Sequence, residues 1–123
     1  MFKFFFINHA SVGIEYQKKI LLMDLWVEGS VFNNSWNLIS KTPTKSIEVV
    51  KKSDFVWYTH EHPDHFNPRN LLLYKDGKNF IFQKTKDKRV VNFLKKISTN
   101  VIELDSKSEF KFLDNFSIKV FPF

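Results

Sequence analysis

The chain has 123 residues and a mass of 14.7 kDa, enough for one domain, and its 43% hydrophobic content with 15 Phe excludes a disordered or fibrous chain. It has no Cys, which excludes disulfides and thiolate metal sites and makes a reducing, cytoplasmic compartment the expectation. The net charge of +6 is spread over scattered Lys, with Arg69 and Arg89 the only guanidinium groups. A field of that kind favours an anionic small-molecule substrate, and without a dense basic block no nucleic-acid partner is expected.

The opening apolar run Phe4 to Ile7 is too short for a signal peptide's apolar region or a membrane span, so it reads as a strand and no membrane partner is expected. "KFFFIN", "SVGIEY" and "KILLMD" follow one another across short polar breaks and predict three strands, the second turn lying at Tyr16-Gln17-Lys18-Lys19. Phe4-Phe5-Phe6-Ile7 and Ile20-Leu21-Leu22-Met23 are apolar on both alternating faces, which predicts strands covered on both sides. Leu25 to Thr44 has no period and carries Gly29, Asn33, Asn34 and Pro43, so it reads as a long loop.

"TKSIEVVKKS" predicts a short helix with Ile47, Val49 and Val50 inward, followed by the β-rich run "DFVWY". Asn67-Pro68 has the chemistry of a helix start, Asn as cap and Pro in the first turn, before "RNLLLYK" and Gly77. "NFIFQ" reads as a strand, "DKRVVNFLKKIS" as a helix with Val90, Phe93, Leu94 and Ile97 inward, and "NVIEL", "EFKFL" and "FSIKVF" as strands. The order predicts an α+β domain over residues 1 to 123, a mixed β-sheet with helices packed on it.

Three of the four His lie in "THEHPDHFNP", as His60-x-His62-x-Asp64-His65. Pro63 rules out a helical metal-binding arrangement and makes this a loop at a strand end. Residues two apart in extended chain point to one side, so His60 and His62 can converge on an ion while Asp64 and His65 serve a second site. Imidazole and carboxylate donors suit zinc, in one or two ions, with iron or manganese as alternatives. Glu61 falls on the opposite side and is expected to face outward.

The stretch "DFVWYTHEHPDHFN" resembles the strand and H-x-H-x-D-H signature of the metallo-β-lactamase superfamily. "NHASVGIEYQKKILLMD" is similar to the opening of its ascorbate-6-phosphate lactonase-like branch, and "DLWVEGSVFNNSW" to the D-P-W-x-x-G-x-x-F segment of its CMP-N-acetylneuraminate hydroxylase-like branch. The resemblance covers most of residues 7 to 75, with Leu25 standing where that branch has Pro, a change expected to loosen the turn. It implies His60 and His62 as ligands of a first metal, Asp64 and His65 of a second, and Asp64 as the catalytic group orienting or deprotonating water. Asp24 would support the ligands from behind and His9 would line the pocket. Trp26, Phe32 and Trp36 are expected to pack in the core.

The superfamily fold is a duplicated αββα sandwich, and the resemblance implies that this chain supplies one αβ half, the N-terminal one. No His follows His65, and the apolar end "SIKVFPF" is expected to lack a cover. Hydroxylation in the hydroxylase branch needs a Rieske centre with cysteine ligands, so a chain without Cys points instead to hydrolysis of an ester, lactone, amide or phosphoester. The second reading is a non-catalytic half-domain that binds metal weakly and needs a C-terminal half in trans or self-association.

Overall fold

A computed structural model describes residues 1–121; Pro122 and Phe123, the end of "SIKVFPF", lie outside the described residues. Strands β1 (Phe2–Asn8), β2 (Ser11–Tyr16) and β3 (Lys19–Met23) form an antiparallel meander. Gln17 and Lys18 both have positive φ, as a two-residue hairpin turn requires. From β3 onward the chain alternates helix and strand: α1 (Thr44–Lys52), β4 (Phe55–Tyr58), α2 (Pro68–Tyr74), β5 (Asn79–Gln83), α3 (Arg89–Ile97) and β6 (Val101–Leu104). Strands β3 to β6 pair in parallel, so the six-stranded sheet runs β1-β2-β3-β4-β5-β6 and is mixed. All three helices share one core cluster with one face of the sheet, as successive parallel crossovers of one hand require.

That face is the main core. Leu22, Val56, Tyr58, Phe80 and Phe82 of the sheet pack with Val50 of α1, Leu71 of α2, and Val91 and Leu94 of α3. The innermost residues of α3 are therefore Val91 and Leu94, with Val90, Phe93 and Ile97 at the margin of the core. Asn67 caps α2 as its sequence implied, its side chain accepting from the Asn70 amide, with Pro68 in the first turn.

The opposite face is covered by a separate hairpin, β7 (Glu109–Leu113) and β8 (Phe116–Lys119). Phe112 and Ile118 pack on Leu21, Ile81 and Leu104, so the C-terminal strand that was expected to lack a cover is itself the cover. Two short strands span only part of a six-stranded sheet, and the uncovered part is β1 at its edge. Phe4 and Phe6 are 71% and 72% exposed, against the expectation that β1 is buried on both sides. The inner strand β3 meets that expectation, with Ile20, Leu21 and Leu22 buried. Among the described residues no helix is long and apolar enough to cross a membrane.

Candidate metal centre

Because β2 is antiparallel to both neighbours, β1 runs in the same direction as β3, β4 and β5. The residues that follow these strands therefore gather at one edge of the sheet, the edge where open α/β sheets place their ligands. His9 follows β1, Asp24 follows β3, and the loop from Thr59 to Phe66 follows β4. His9 and Asp24 both adopt positive φ, 48° and 51°, a sparsely populated conformation for residues with a Cβ.

Asp24 is the hub of this edge. It is 3% exposed, and its carboxylate accepts from the Thr59 amide at 2.8 Å, the Thr59 hydroxyl at 2.9 Å and His65 Nδ1 at 2.8 Å. A carboxylate only accepts, so His65 must carry its proton on Nδ1 and present the Nε2 lone pair outward. The Thr59 hydroxyl gives its one proton to Asp24 and accepts from His60 Nδ1 at 2.9 Å, which fixes His60 in the same sense. These tautomers are assigned from the hydrogen-bond network.

His60 Nε2 and His62 Nδ1 face each other at 3.1 Å. Two imidazole nitrogens at that distance need a proton or a cation between them. Burial, then the neighbouring His65 and His62 rings, hold the His60 pKa below its ordinary value, so the ring is neutral at pH 7 and free to act as a donor. Asp64 Oδ2 lies 2.9 Å from His9 Nε2 and 3.5 Å from His65 Nε2. Burial works to raise the Asp64 pKa, but the hydrogen bond from His9, a backbone hydrogen bond and the nearby imidazoles outweigh it and leave the carboxyl below its ordinary range. His60, His62, Asp64, His65, Asp24 and His9 thus lie near one another, and Glu61 is exposed. The donor set of imidazole nitrogens and one ionised carboxylate fits a zinc, iron or manganese ion.

Several supports were not evident in the sequence. Thr59 couples Asp24 to His60, and its carbonyl accepts from Gln83 Nε2 at the end of β5. The fully buried Asn70 ties α2 to the long loop, accepting from the Val27 and Glu28 amides and donating to Glu28 O. The one available signal for these residues was a polar side chain beside an otherwise apolar run. Leu25 is fully buried and its amide donates to His65 O at 3.1 Å, a bond that Pro could not make. Trp26 is core as expected, whereas Phe32 and Trp36 are 39% and 51% exposed and pack edge-to-face on each other.

Beside the loop after β4 lies a cleft of about 410 Å³ with Phe66, Phe82, Val90 and Phe93 in its walls and Glu61, Asp87 and Arg89 among its polar lining residues. Arg89 is already bonded to Asp87, which places a compensated charge pair beside an apolar wall.

No protein-family model matches the chain. Among curated proteins it is similar to the cytidine monophosphate-N-acetylneuraminic acid hydroxylase of Asterias rubens, 29% identical over 68 residues, which are 55% of this chain and 10% of that protein. Among solved structures it is similar to a possible metal-dependent hydrolase from Veillonella parvula, with a TM-score of 0.69 and 16% identity over 91% of this chain and 45% of that one. It is also similar to CmlA, a diiron beta-hydroxylase from Streptomyces venezuelae, with a TM-score of 0.67 and 18% identity over 89% of this chain and 22% of that one. At these identities the solved structures show the fold alone. The chain spans about a tenth of the length of the curated relatives it matches. Together these likenesses support a metallo-β-lactamase-like segment, α+β with a mixed sheet, that corresponds to part of each relative.

Proposed function

We propose that the chain is a metal-binding hydrolase domain in which His60 and His62 hold one ion and Asp64 and His65 contribute to a second. The observation that carries this reading is the enforced outward orientation of the donor atoms. Asp24 holds His65 directly and His60 through Thr59, so both rings turn Nε2 to the open edge. A bound zinc, iron or manganese ion supplies Lewis-acid charge and an activated water at neutral pH. Asp64, whose carboxyl is held below its ordinary range, is better suited to orient that water by accepting a hydrogen bond than to hold its proton. The excess of Lys favours an anionic ester, lactone, amide or phosphoester as substrate. The metal-dependent character of the proteins it resembles in fold supports the same reading.

A second reading, a half-domain completed by another chain or by further sequence, is favoured by the exposed Phe4 and Phe6 and by the partial span of the relatives. Hydrolysis of p-nitrophenyl acetate and bis(p-nitrophenyl) phosphate by the zinc-loaded chain separates the two. Turnover that is abolished by a chelator and by His60→Ala supports the hydrolase, and turnover unchanged in His60→Ala contradicts it. Zinc bound at the loop without any turnover selects the half-domain.

A further inference from the structure

We propose that His9 is itself a metal ligand, forming with Asp64 and His65 a three-point site for zinc or a similar borderline divalent ion. The inference rests on the reading that the loop after β4 binds metal, and it assigns to His9 a role beyond lining a pocket. One donor atom from each of His9, Asp64 and His65 lies within 4.8 Å of the other two. With metal–nitrogen and metal–oxygen bonds of about 2.1 Å, the edge of a tetrahedron of donors is about 3.4 Å. The 2.9 Å from His9 to Asp64 and the 3.5 Å from His65 to Asp64 straddle that edge. An ion can therefore enter with shifts of a few tenths of an ångström along these two edges, and the third corner closes by rotation of the His9 ring, whose side chain is 35% exposed.

The surroundings of His9 hold it for such a task. The register of β1 against β2 shifts between Phe6 and Asn8, and His9 follows with φ at 48°, so the ring leaves the sheet at its edge. On one side the buried Asn8 side chain donates to Ser40 O and Thr42 Oγ1, both at 2.9 Å. On the other, the buried Ser11 hydroxyl is bonded to the backbone of Trp26, and the Trp26 ring packs edge-to-face on His9 with centroids 5.0 Å apart. Two buried polar anchors and an aromatic wall around a strained, partly exposed His make a preorganised donor. Asp64 and His65 give an ion two protein ligands, and His9 makes a third, the number a catalytic zinc keeps.

The test is zinc titration of the full chain against a chromophoric chelator, with His9→Ala, His9→Asn and a His60→Ala, His62→Ala double variant in parallel. Asn tolerates the positive φ and can still donate a hydrogen bond to Asp64, but it is a poor zinc donor. Far-UV circular dichroism of each variant checks that it is folded. The expected result is that His9→Ala and His9→Asn both weaken one zinc site by 100-fold or more, beyond the roughly 10- to 100-fold typical of losing a supporting group. In the cobalt-loaded protein both variants lose visible absorption from one site. Zinc affinity retained in His9→Asn, or in both variants while the double variant loses its zinc, overturns the ligand role and leaves the proposed function standing. A chain that binds no zinc at all overturns both.

Discussion

Asp24→Asn is the sharpest perturbation of the site, because it changes no volume and removes one negative charge from the hub. Asn keeps an acceptor for the Thr59 amide, but where Oδ2 accepted from His65 Nδ1 at 2.8 Å it now places an NH2 group. That group satisfies His65 only if the imidazole proton moves to Nε2, the atom that otherwise faces the ion. A hydrogen bond to a charged partner contributes about 1.5–3 kcal/mol and a neutral one about 1 kcal/mol, so the metal-free protein should lose only about 1–2 kcal/mol. Metal affinity should fall roughly 10- to 100-fold, as for other supporting carboxylates, which is about 1.4–2.7 kcal/mol. Urea unfolding with and without saturating zinc reads both quantities, since the zinc-induced gain shrinks by the same amount as the binding energy. Nitrogen-15 spectra of the imidazoles report the tautomer directly. A variant that keeps its full zinc affinity with His65 still protonated on Nδ1 would refute the reasoning.

Leu25→Pro should destabilise the chain by more than about 1 kcal/mol in urea unfolding, because it removes the amide that donates to His65 O and crowds Asp24 at its positive φ. Equal midpoints would show that the turn tolerates Pro. Tyr58 is fully buried, its hydroxyl has no partner among the described residues, and burial, followed by the charge of Asp24, pushes its pKa well up. Tyr58→Phe should therefore be neutral or stabilising by up to about 1–2 kcal/mol, and a loss of stability would reveal an overlooked partner. Glu103 accepts from Lys88 and Lys95, which hold its pKa below the ordinary carboxyl value. A depressed carboxyl pKa gives stability that is complete above the unfolded value and fades as pH falls through the folded one. Glu103→Gln should cost about 0.5–1.5 kcal/mol at neutral pH and nothing once the carboxyl is protonated in both states; a pH-independent cost would contradict that origin.

The strands and helices were legible where one local rule decided them. The Asn67-Pro68 start of α2, the amphipathic runs of α1 and α3, and the β-rich runs all lie where periodicity and capping put them. In the loop after β4 the alternation of His60 and His62 was readable in the same way, and the two rings come within 3.1 Å of each other. What failed depended on the partners of a face and not on the face itself. Phe4 and Phe6 look as apolar as Leu21 and Leu22, but Leu22 lies under the helices and Leu21 under the hairpin. The same applies at the other end of the chain, where Ile118 is buried by the sheet beneath it. The roles of Leu25 and Thr59 were not legible because their contributions are a backbone amide and a one-proton relay, neither of which has a side-chain pattern.

The central claim is that the loop following β4 grips a cation through imidazole and carboxylate donors. Equilibrium dialysis of the purified chain against micromolar zinc, beside the His60→Ala, His62→Ala double variant, tests it most directly. Bound zinc in the unaltered chain and a clear deficit in the variant is the predicted result. Equal zinc in both, or none in either, would contradict it.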